Sequence, residues 1–512
     1  MKCLKYKKFA VCPGQLVKCG VMRYLSSVVL LLVFSATCTS AEPPCVSASG
    51  VANLSLTTVS PEAVSYIKKY SLPGNPTDFC NYLERLERQH QAAVEEGLID
   101  MVGDYFFSTQ SIETDYFFSY KLGSPGKPIP QIILDRAANE DQMLDRFLMA
   151  VDKDPDAKRK ALLENLAQKI SGGGNVPRRE RFRQFTKVIF EKSWIFKSEF
   201  QQAAKQVNRD DNYNFVGRGL RTTTPIFVAA LVDHFISSAT GKQILPGRIN
   251  RMLIIGPGLQ FSDPDLGEEI PQESHEPFTL MDSLFRNGMA TPGALQVDLL
   301  DINSQVVRHF KEAAASNKAY DLHIVINKEE NLGRERLGSL HYGENVLGTS
   351  LPGVQSSKPV EGQSRRPSRG SLDPAQIVSR SVTISAAIVK MLHAFEGDMT
   401  STDLRKLQSD ADTKYDAIFC FNTLIYLDEK ERMLAGVNIR EALAQNGVFV
   451  TDNRFVKDIG ERPGRKQDGS AAAAPIFDSA FLKMVADYNE DDTNMGPVEN
   501  PGRRTIVYRR GD

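Results

Sequence analysis

Arg251-Met252-Leu253-Ile254-Ile255-Gly256-Pro257-Gly258 joins a short apolar strand to two glycines one residue apart. Glycine has no Cβ, so the chain can turn sharply there and backbone can approach a ligand closely. In an open α/β sheet, ligands bind beyond the carboxyl ends of the strands. A strand ending in this way is a candidate wall of a nucleotide-type site.

Outward from this strand the pattern alternates strand and helix, as a parallel sheet with crossover helices requires. Strands are expected at 251–255, 295–301, 322–327, 415–421 and 447–452. Helices are expected at 276–287, 303–316, 401–408 and 428–444, and an apolar helix from Pro225 to Ile236. Residues 343–374 are rich in Ser, Pro, Gly and Arg and include Ser364-Arg365-Arg366-Pro367-Ser368-Arg369. Such a stretch cannot bury enough apolar surface to fold alone. It reads as a disordered insertion in an α/β domain that spans 236–512.

Upstream the periodicity is helical. Phe79, Tyr82, Leu83 and Leu86 recur at helix spacing, and further helices are expected at 141–151, 157–170 and 178–207. Gly172-Gly173-Gly174 breaks the chain between them. Phe182, Phe185, Val188, Ile189, Trp194 and Phe200 read as a core stripe and not as a ligand stripe. The expected division is a flexible lead-in over 42–58 and a mostly helical domain over 59–235.

The first residues have another character. Lys2, Lys5, Lys7, Lys8, Lys18 and Arg23 precede the apolar run Val28–Phe34, and Thr39-Ser40-Ala41 follows. This is the layout of a secretory signal, and its apolar run is too short for a standard membrane span. Residues 1–41 are therefore expected to be a signal peptide or, uncleaved, an N-terminal anchor within 22–41. The protein is expected to be exported, periplasmic or extracellular, or membrane-associated through its N-terminus. It would be cytoplasmic if the stretch is not a leader. Removal of the leader leaves Cys45, Cys80 and Cys420. Cys45 and Cys80 could pair in an oxidising compartment, whereas Cys420 reads as a small buried hydrophobe.

The length of 512 residues fits two or three domains. A formal net charge of -1 excludes a nucleic-acid binder that relies on a global positive field. The 7 histidines form no ligand pair at helical spacing, so no metal site is expected.

Beyond the glycine turn, Leu295–Asp301 is a strand ending in an acid. A carboxylate at a strand tip can accept both hydroxyl protons of a ribose diol. Tyr415–Asn422 is a strand running into a loop, Leu427-Asp428-Glu429 then opens a helix, and Phe395-Glu396-Gly397-Asp398-Met399 lies before them. Ala442–Val450 adds a helix end, a turn and another strand. This ordered set, over about 235 to 460, resembles the class I S-adenosylmethionine-dependent methyltransferases. Gly256-Pro257-Gly258-Leu259, Glu273-Ser274-His275-Glu276-Pro277-Phe278 and Asp301-Ile302-Asn303 are similar to a little-characterised bacterial branch of that family.

The resemblance implies a Rossmann-like parallel-sheet methyltransferase fold behind a mostly helical N-terminal domain, with S-adenosylmethionine as cofactor. Gly256, Pro257 and Gly258 would lie against its methionine part. Asp301 would hold the ribose, with Ile302 on the adenine face. Asp398 would accept from the adenine amino group, Met399 would flank the ring, and Asn422 would lie near the amino end. Tyr426 and Asp452 are candidate substrate-side groups. The chemistry needs no universal catalytic residue and leaves the methyl acceptor unnamed; the helical domain would cap the pocket and choose it. The alternative is an inert binding module of this fold in the cell envelope.

Two departures from the family pattern stand out. Gln260 occupies the third glycine's place, and an acidic stretch (Asp263, Asp265, Glu268, Glu269) precedes the helix start at Ser274 and Pro277. A dinucleotide Gly-x-Gly-x-x-Gly turn would need glycine at 261, which is Phe.

Overall fold

The computed structural model describes residues 50–109, 141–189, 226–263, 268–327, 377–408, 414–455, 475–489 and 504–511, apart from positions 143, 155, 156 and 454 within them. The leader (1–41), most of the lead-in (42–49), the insertion (343–374), Asp265, Trp194 and Phe200 lie outside the described residues.

In chain order the helices α1 (Pro61–Lys69), α2 (Pro76–Thr109), α3 (Ala157–Ile170), α4 (Ile226–Ser237) and α5 (Ala239–Ile244) come first. Next are β1 (Arg251–Ile255), β2 (Gln260–Asp263), β3 (Glu268–Glu273), α6 (Glu276–Arg286), β4 (Gln296–Asp301), α7 (Ser304–Ala315) and β5 (Tyr320–Asn327). The last group is β6 (Ile377–Ile384), α8 (Ala386–Val389), β7 (Leu392–Glu396), β8 (Tyr415–Cys420), α9 (Glu429–Ala442), β9 (Leu443–Thr451), β10 (Leu482–Asn489) and β11 (Arg504–Arg510).

β1 is the centre of a 7-stranded sheet of order β10-β11-β9-β8-β1-β4-β7. It pairs parallel to β4 on one side and to β8 on the other; β7 and β9 extend the parallel set. β11 runs antiparallel to both β9 and β10. The central strands β1, β4 and β8 are buried on both faces, which is why they read as apolar runs and not as alternating ones. From β1 the chain steps outward through β4 and β7, then returns to β8 on the opposite side. The strand order therefore reverses between β1 and β8, the crevice where doubly wound sheets place ligands. The expected α/β fold, with a mainly parallel sheet and a helical N-terminal region, is the observed one.

One face of the sheet packs on α4, α6 and α7 through Val232, Phe235, Phe278, Leu284, Val306 and Phe310. The other packs on α1, α2 and α9 through Ala63, Ile67, Phe79, Leu83, Leu86 and Val437. Each fully buried aliphatic or Phe side chain contributes about 1.5–3 kcal/mol, so α1 and the first half of α2 form a layer of the sheet's own core. A separate cluster of Leu144, Phe147, Leu163, Phe182 and Phe185 gathers α3 and its helical neighbours. Local signals set the helix starts. Asp428 and Glu431 form a reciprocal capping box on α9, and Asn303 accepts from the Gln305 N–H at the start of α7. No helix among the described residues is long and apolar enough to cross a membrane.

Three expected elements differ. Residues 322–327 do not enter the main sheet; β5 pairs antiparallel with β6 as a separate ribbon, the stem from which 328–376 departs. The acidic stretch after Gly258 carries the β2–β3 hairpin. Residues 401–408 contain only a single turn, Leu404–Lys406. Its backbone is taken by other partners: the Leu54 N–H donates to the Ser401 carbonyl (2.7 Å) and the Asp403 N–H to the Ala52 carbonyl (2.9 Å). The Asn438 side-chain amide donates to the carbonyls of Met399 (2.9 Å) and Thr402 (2.5 Å). A helix would have to give up these bonds.

Candidate functional site at the strand tips

The turn after β1 is left-handed at both glycines, with φ of 69° at Gly256 and 61° at Gly258. A Cβ on Gly256 would fall 2.5 Å from the Thr423 hydroxyl oxygen, so nothing larger fits without displacement. The turn is tied to β4: the Gly256 N–H donates to the Leu300 carbonyl (2.8 Å), and the Gly258 N–H to Asp301 Oδ2 (3.3 Å). Asp301 Oδ1 accepts the Asn303 N–H (2.8 Å), and the Asp301 carbonyl accepts the Gly397 N–H (3.1 Å). Asp301 is thus the hub on which the ends of β1, β4 and β7 meet. Burial pushes its carboxyl up to about 7, against the opposing pull of the Asn303 and Gly258 N–H groups.

On the β7 side the wall is α2. His90, Val94 and Leu98 are spaced i, i+4, i+8 and share one helix face. His90 Nδ1 lies 2.5 Å from Asp398 Oδ2, and its Nε2 lies 3.2 Å from Glu431 Oε1. Burial alone would lower the imidazole pKa, but Asp398 and Glu431 outweigh it and hold it up to about 10. His90 is therefore an imidazolium that donates to both carboxylates. Burial by itself would raise Asp398; His90 and Thr400 reverse that and keep it below the usual carboxylate range. Its Oδ1 accepts from the Thr400 N–H (2.9 Å) and hydroxyl (2.7 Å). Val94 and Leu98 pack against Ile302. So Asp398 and Ile302, the pair that the resemblance assigns to the adenine base, both touch one face of α2. Met399 is buried in the core shared with Leu300 and Leu404.

The β8–β9 side is acidic. Asn422 is a left-handed non-glycine residue (φ 53°), and its N–H donates to Asp452 Oδ2 (2.9 Å). Asn453 donates to Asp452 Oδ1 (2.8 Å). Burial pushes Asp452 up to about 6 despite these donors. The entry to α6 is pinned to the glycine turn by the Ser274 hydroxyl, which donates to the Pro257 carbonyl (3.0 Å). That places Glu276, the first residue of α6, beside the turn. Glu276 is 1% exposed, and among the described residues neither of its carboxylate oxygens has a hydrogen-bond partner. Burial first, then Asp452 and Asp301, push its carboxyl well above the ordinary value. The buried thiol of Cys420, at the tip of β8, is pushed up by burial, with Asp452 and Glu276 adding to it. Tyr426 is buried in the turn Leu424–Tyr426.

The sequence-predicted residues thus fall in two groups at the carboxyl ends of the strands. Gly258, Asp301 and Gly397 are linked by direct bonds, with Asp398 next in the chain. Asn422 and Asp452 are bonded to each other. Three side chains were not singled out for a role in the site: His90, Glu276 and Glu431. His90 had a signal, since it continues the inward spacing of Leu83 and Leu86 on α2. Glu276 stands immediately before the Pro277 that opens a helix, but its burial is not marked in the residues around it.

No family model matches this chain, and no curated protein matches it in sequence. Solved structures do match at low identity. The mitomycin 7-O-methyltransferase MmcR is 10% identical, covering 79% of this chain and 94% of its own, with a TM-score of 0.29. The CcbJ methyltransferase from Streptomyces caelestis is 12% identical, covering 57% of this chain and 98% of its own, with a TM-score of 0.27. The glycopeptide N-methyltransferase MtfA, complexed with S-adenosyl-L-methionine, is 12% identical, covering 55% and 94%, with a TM-score of 0.25. None of these likenesses transfers a ligand or an acceptor to this chain.

Proposed function

We propose that this protein binds S-adenosylmethionine at the tips of β1, β4, β7 and β8 and transfers its methyl group to an acceptor still to be identified. The observation that carries the reading is the direct bond between the Gly258 N–H and the Asp301 carboxylate (3.3 Å) at the point where the strand order reverses. The residues fit the cofactor. The glycine turn has no room for a Cβ at Gly256, and the acid Asp301 stands buried at its strand end.

When bound, the cofactor would supply a methyl group on a sulfonium, open to in-line attack by a nucleophile. The protein's own part is alignment and exclusion of water. Asp301, already oriented by two backbone N–H groups, would accept the ribose hydroxyls. A carboxylate accepts about four hydrogen bonds. Asp398 keeps capacity for a base amino group beside its contacts with His90 and Thr400. Ile302, backed by Val94 and Leu98, would lie on the base, and α2 would close that end. Tyr426 would face the acceptor, whose selection we place with the N-terminal helices.

Titration calorimetry on the full chain tests this. Micromolar binding of S-adenosylmethionine that Asp301→Ala abolishes is expected; no heat with S-adenosylmethionine or S-adenosylhomocysteine would leave only an inert module of this fold. We also place the protein outside the cytosol. The basic-apolar-small leader supports this, as does Cys80, which is held in a disulfide. N-terminal sequencing of the mature protein, with a start after Ala41, is the expected result.

A further inference from the structure

Asp398 stands just beyond β7, and its two carboxylate oxygens are held in different ways. Oδ1 accepts twice from Thr400, from the backbone N–H (2.9 Å) and from the hydroxyl (2.7 Å). Oδ2 accepts once, from His90 Nδ1 (2.5 Å). Each carboxylate oxygen has about two lone pairs to offer. Oδ1 is therefore full, and among the described residues the open position of Asp398 is on Oδ2, beside the imidazole.

His90 reaches this place from α2, which precedes β1 in the chain. Val94 and Leu98 lie one and two turns farther along the same helix face, against Ile302. His90 Nε2 meets Glu431 Oε1 (3.2 Å) in the first turn of α9. The other oxygen of Glu431 accepts the Asp428 N–H (2.7 Å), so Glu431 is itself fixed. A ring engaged at both nitrogens cannot turn without losing a bond at each. Two helices thus set the orientation of Asp398 through one side chain. The same contacts set its charge. Burial disfavours the ionised carboxyl, and the adjoining imidazolium outweighs burial. Asp398 is an acceptor at Oδ2 and not a donor.

We propose that His90 is a specificity-determining positioning residue: by occupying one side of Asp398 Oδ2 it keeps that oxygen an acceptor, so that the pocket takes an aminopurine and refuses an oxopurine. This rests on the reading of the site as one for S-adenosylmethionine, and deepens it by naming what selects the base. An amino group donates into the open position on Oδ2. An oxo group brings lone pairs to lone pairs, and the carboxyl can meet it only by taking up a proton, which the imidazolium opposes. Without His90, burial favours the protonated carboxyl, and that form can donate to an oxo group.

Calorimetry on the full chain with two ligands tests this: S-adenosylhomocysteine, and S-inosylhomocysteine, in which an oxo group replaces the amino group of the base. The wild type is expected to prefer the first by about a hundredfold or more. His90→Leu is expected to reduce that preference by about tenfold or more, weakening the amino ligand more than the oxo one. His90→Gln, which keeps a donor without the charge, is expected to fall between the two, and it carries the test if His90→Leu does not fold. A residue that merely supported the fold would weaken both ligands alike. A preference unchanged in the variant, or absent in the wild type, would overturn the assignment and leave the cofactor reading standing. Wild-type silence toward both ligands would overturn the cofactor reading, and the assignment with it.

Discussion

Two sets of buried acids occupy opposite ends of the same sheet. Toward the amino ends, Asp298 of β4 is fully buried and surrounded by donors. The Tyr415 hydroxyl (2.9 Å) and an Arg251 guanidinium nitrogen (3.2 Å) reach one oxygen; the Gln408 amide (2.6 Å) reaches the other. Arg251 also lies over the Tyr415 ring, 5.4 Å from its centroid. At the carboxyl ends, Glu276 is equally buried and has no donor among the described residues, while Asp301 and Asp452 are held mainly by backbone N–H groups. Burial does not separate the two ends; completeness does. An acid whose partners come from the chain itself fastens strands together. An acid left incomplete costs stability in the ligand-free protein.

The comparison can be broken most directly at its satisfied end. Asp298→Ala leaves Arg251 without its carboxylate and is expected to cost about 3–5 kcal/mol in chemical denaturation, the usual loss when one partner of a buried pair is removed. If Glu276→Ala cost as much, the distinction would be lost. His90→Ala strips Asp398 of its charged donor, and a loss of about 3 kcal/mol is expected, near the lower bound for breaking a buried pair. His90→Gln, which keeps a donor, should recover part of it. At the incomplete end the sign inverts. Glu276→Met is expected to stabilise the ligand-free protein by about 1–3 kcal/mol, the cost of a buried polar group left without a partner. Gly256→Ala forces a side chain into left-handed backbone and against Thr423, a strain of about 1–3 kcal/mol seen as a lower melting temperature.

The smallest expected effect sharpens the same contrast through pH. Asp301 (about 7) and Asp452 (about 6) are raised in the folded state, and Glu276 is raised as well. Unfolded carboxylates titrate near ~4. Between those values the folded protein binds more protons, so stability present below the unfolded pKa is lost as pH rises through the folded one. His90, raised to about 10, acts with the same sign at higher pH. The ligand-free melting temperature should fall by a few degrees between about pH 5 and pH 8. A melting temperature that rose over this interval would contradict the assignment.

The parallel core was legible because burial on both faces writes strands as apolar runs. Arg251–Ile255, Gln296–Asp301 and Tyr415–Cys420 fall where the strands at 251–255, 295–301 and 415–421 were expected. β7 escaped because Leu392–Glu396 is short and carries His393 and Glu396 in its run, so that only its tail, before Asp398, drew notice. β11 carried a visible signal, the β-branched stretch Thr505-Ile506-Val507, but its antiparallel place between β9 and β10 is a long-range fact. Of the site, Gly256, Gly258 and Asp301 could be read locally, since turn geometry and strand ends leave local marks. His90 and Glu276 could not. Their meaning comes from α2 meeting Asp398 after β7 and from the entry to α6 being tied to the glycine turn, neither of which is written within a few residues of them.

The ribbon of β5 and β6 has a consequence for how this protein can vary. Eight cross-strand pairs, from Tyr320 with Ile384 to Asn327 with Ile377, close the base of the excursion. Paired antiparallel positions lie only about 5 Å apart, so whatever 328–376 does, its two ends leave and return through one narrow doorway. Segments entered through such a doorway can be lengthened, exchanged or excised with little strain on the sheet. A two-residue turn joining Asn327 to Ile377 is expected to yield a shorter protein that melts as the parent does, and other modules could be grafted at the same point.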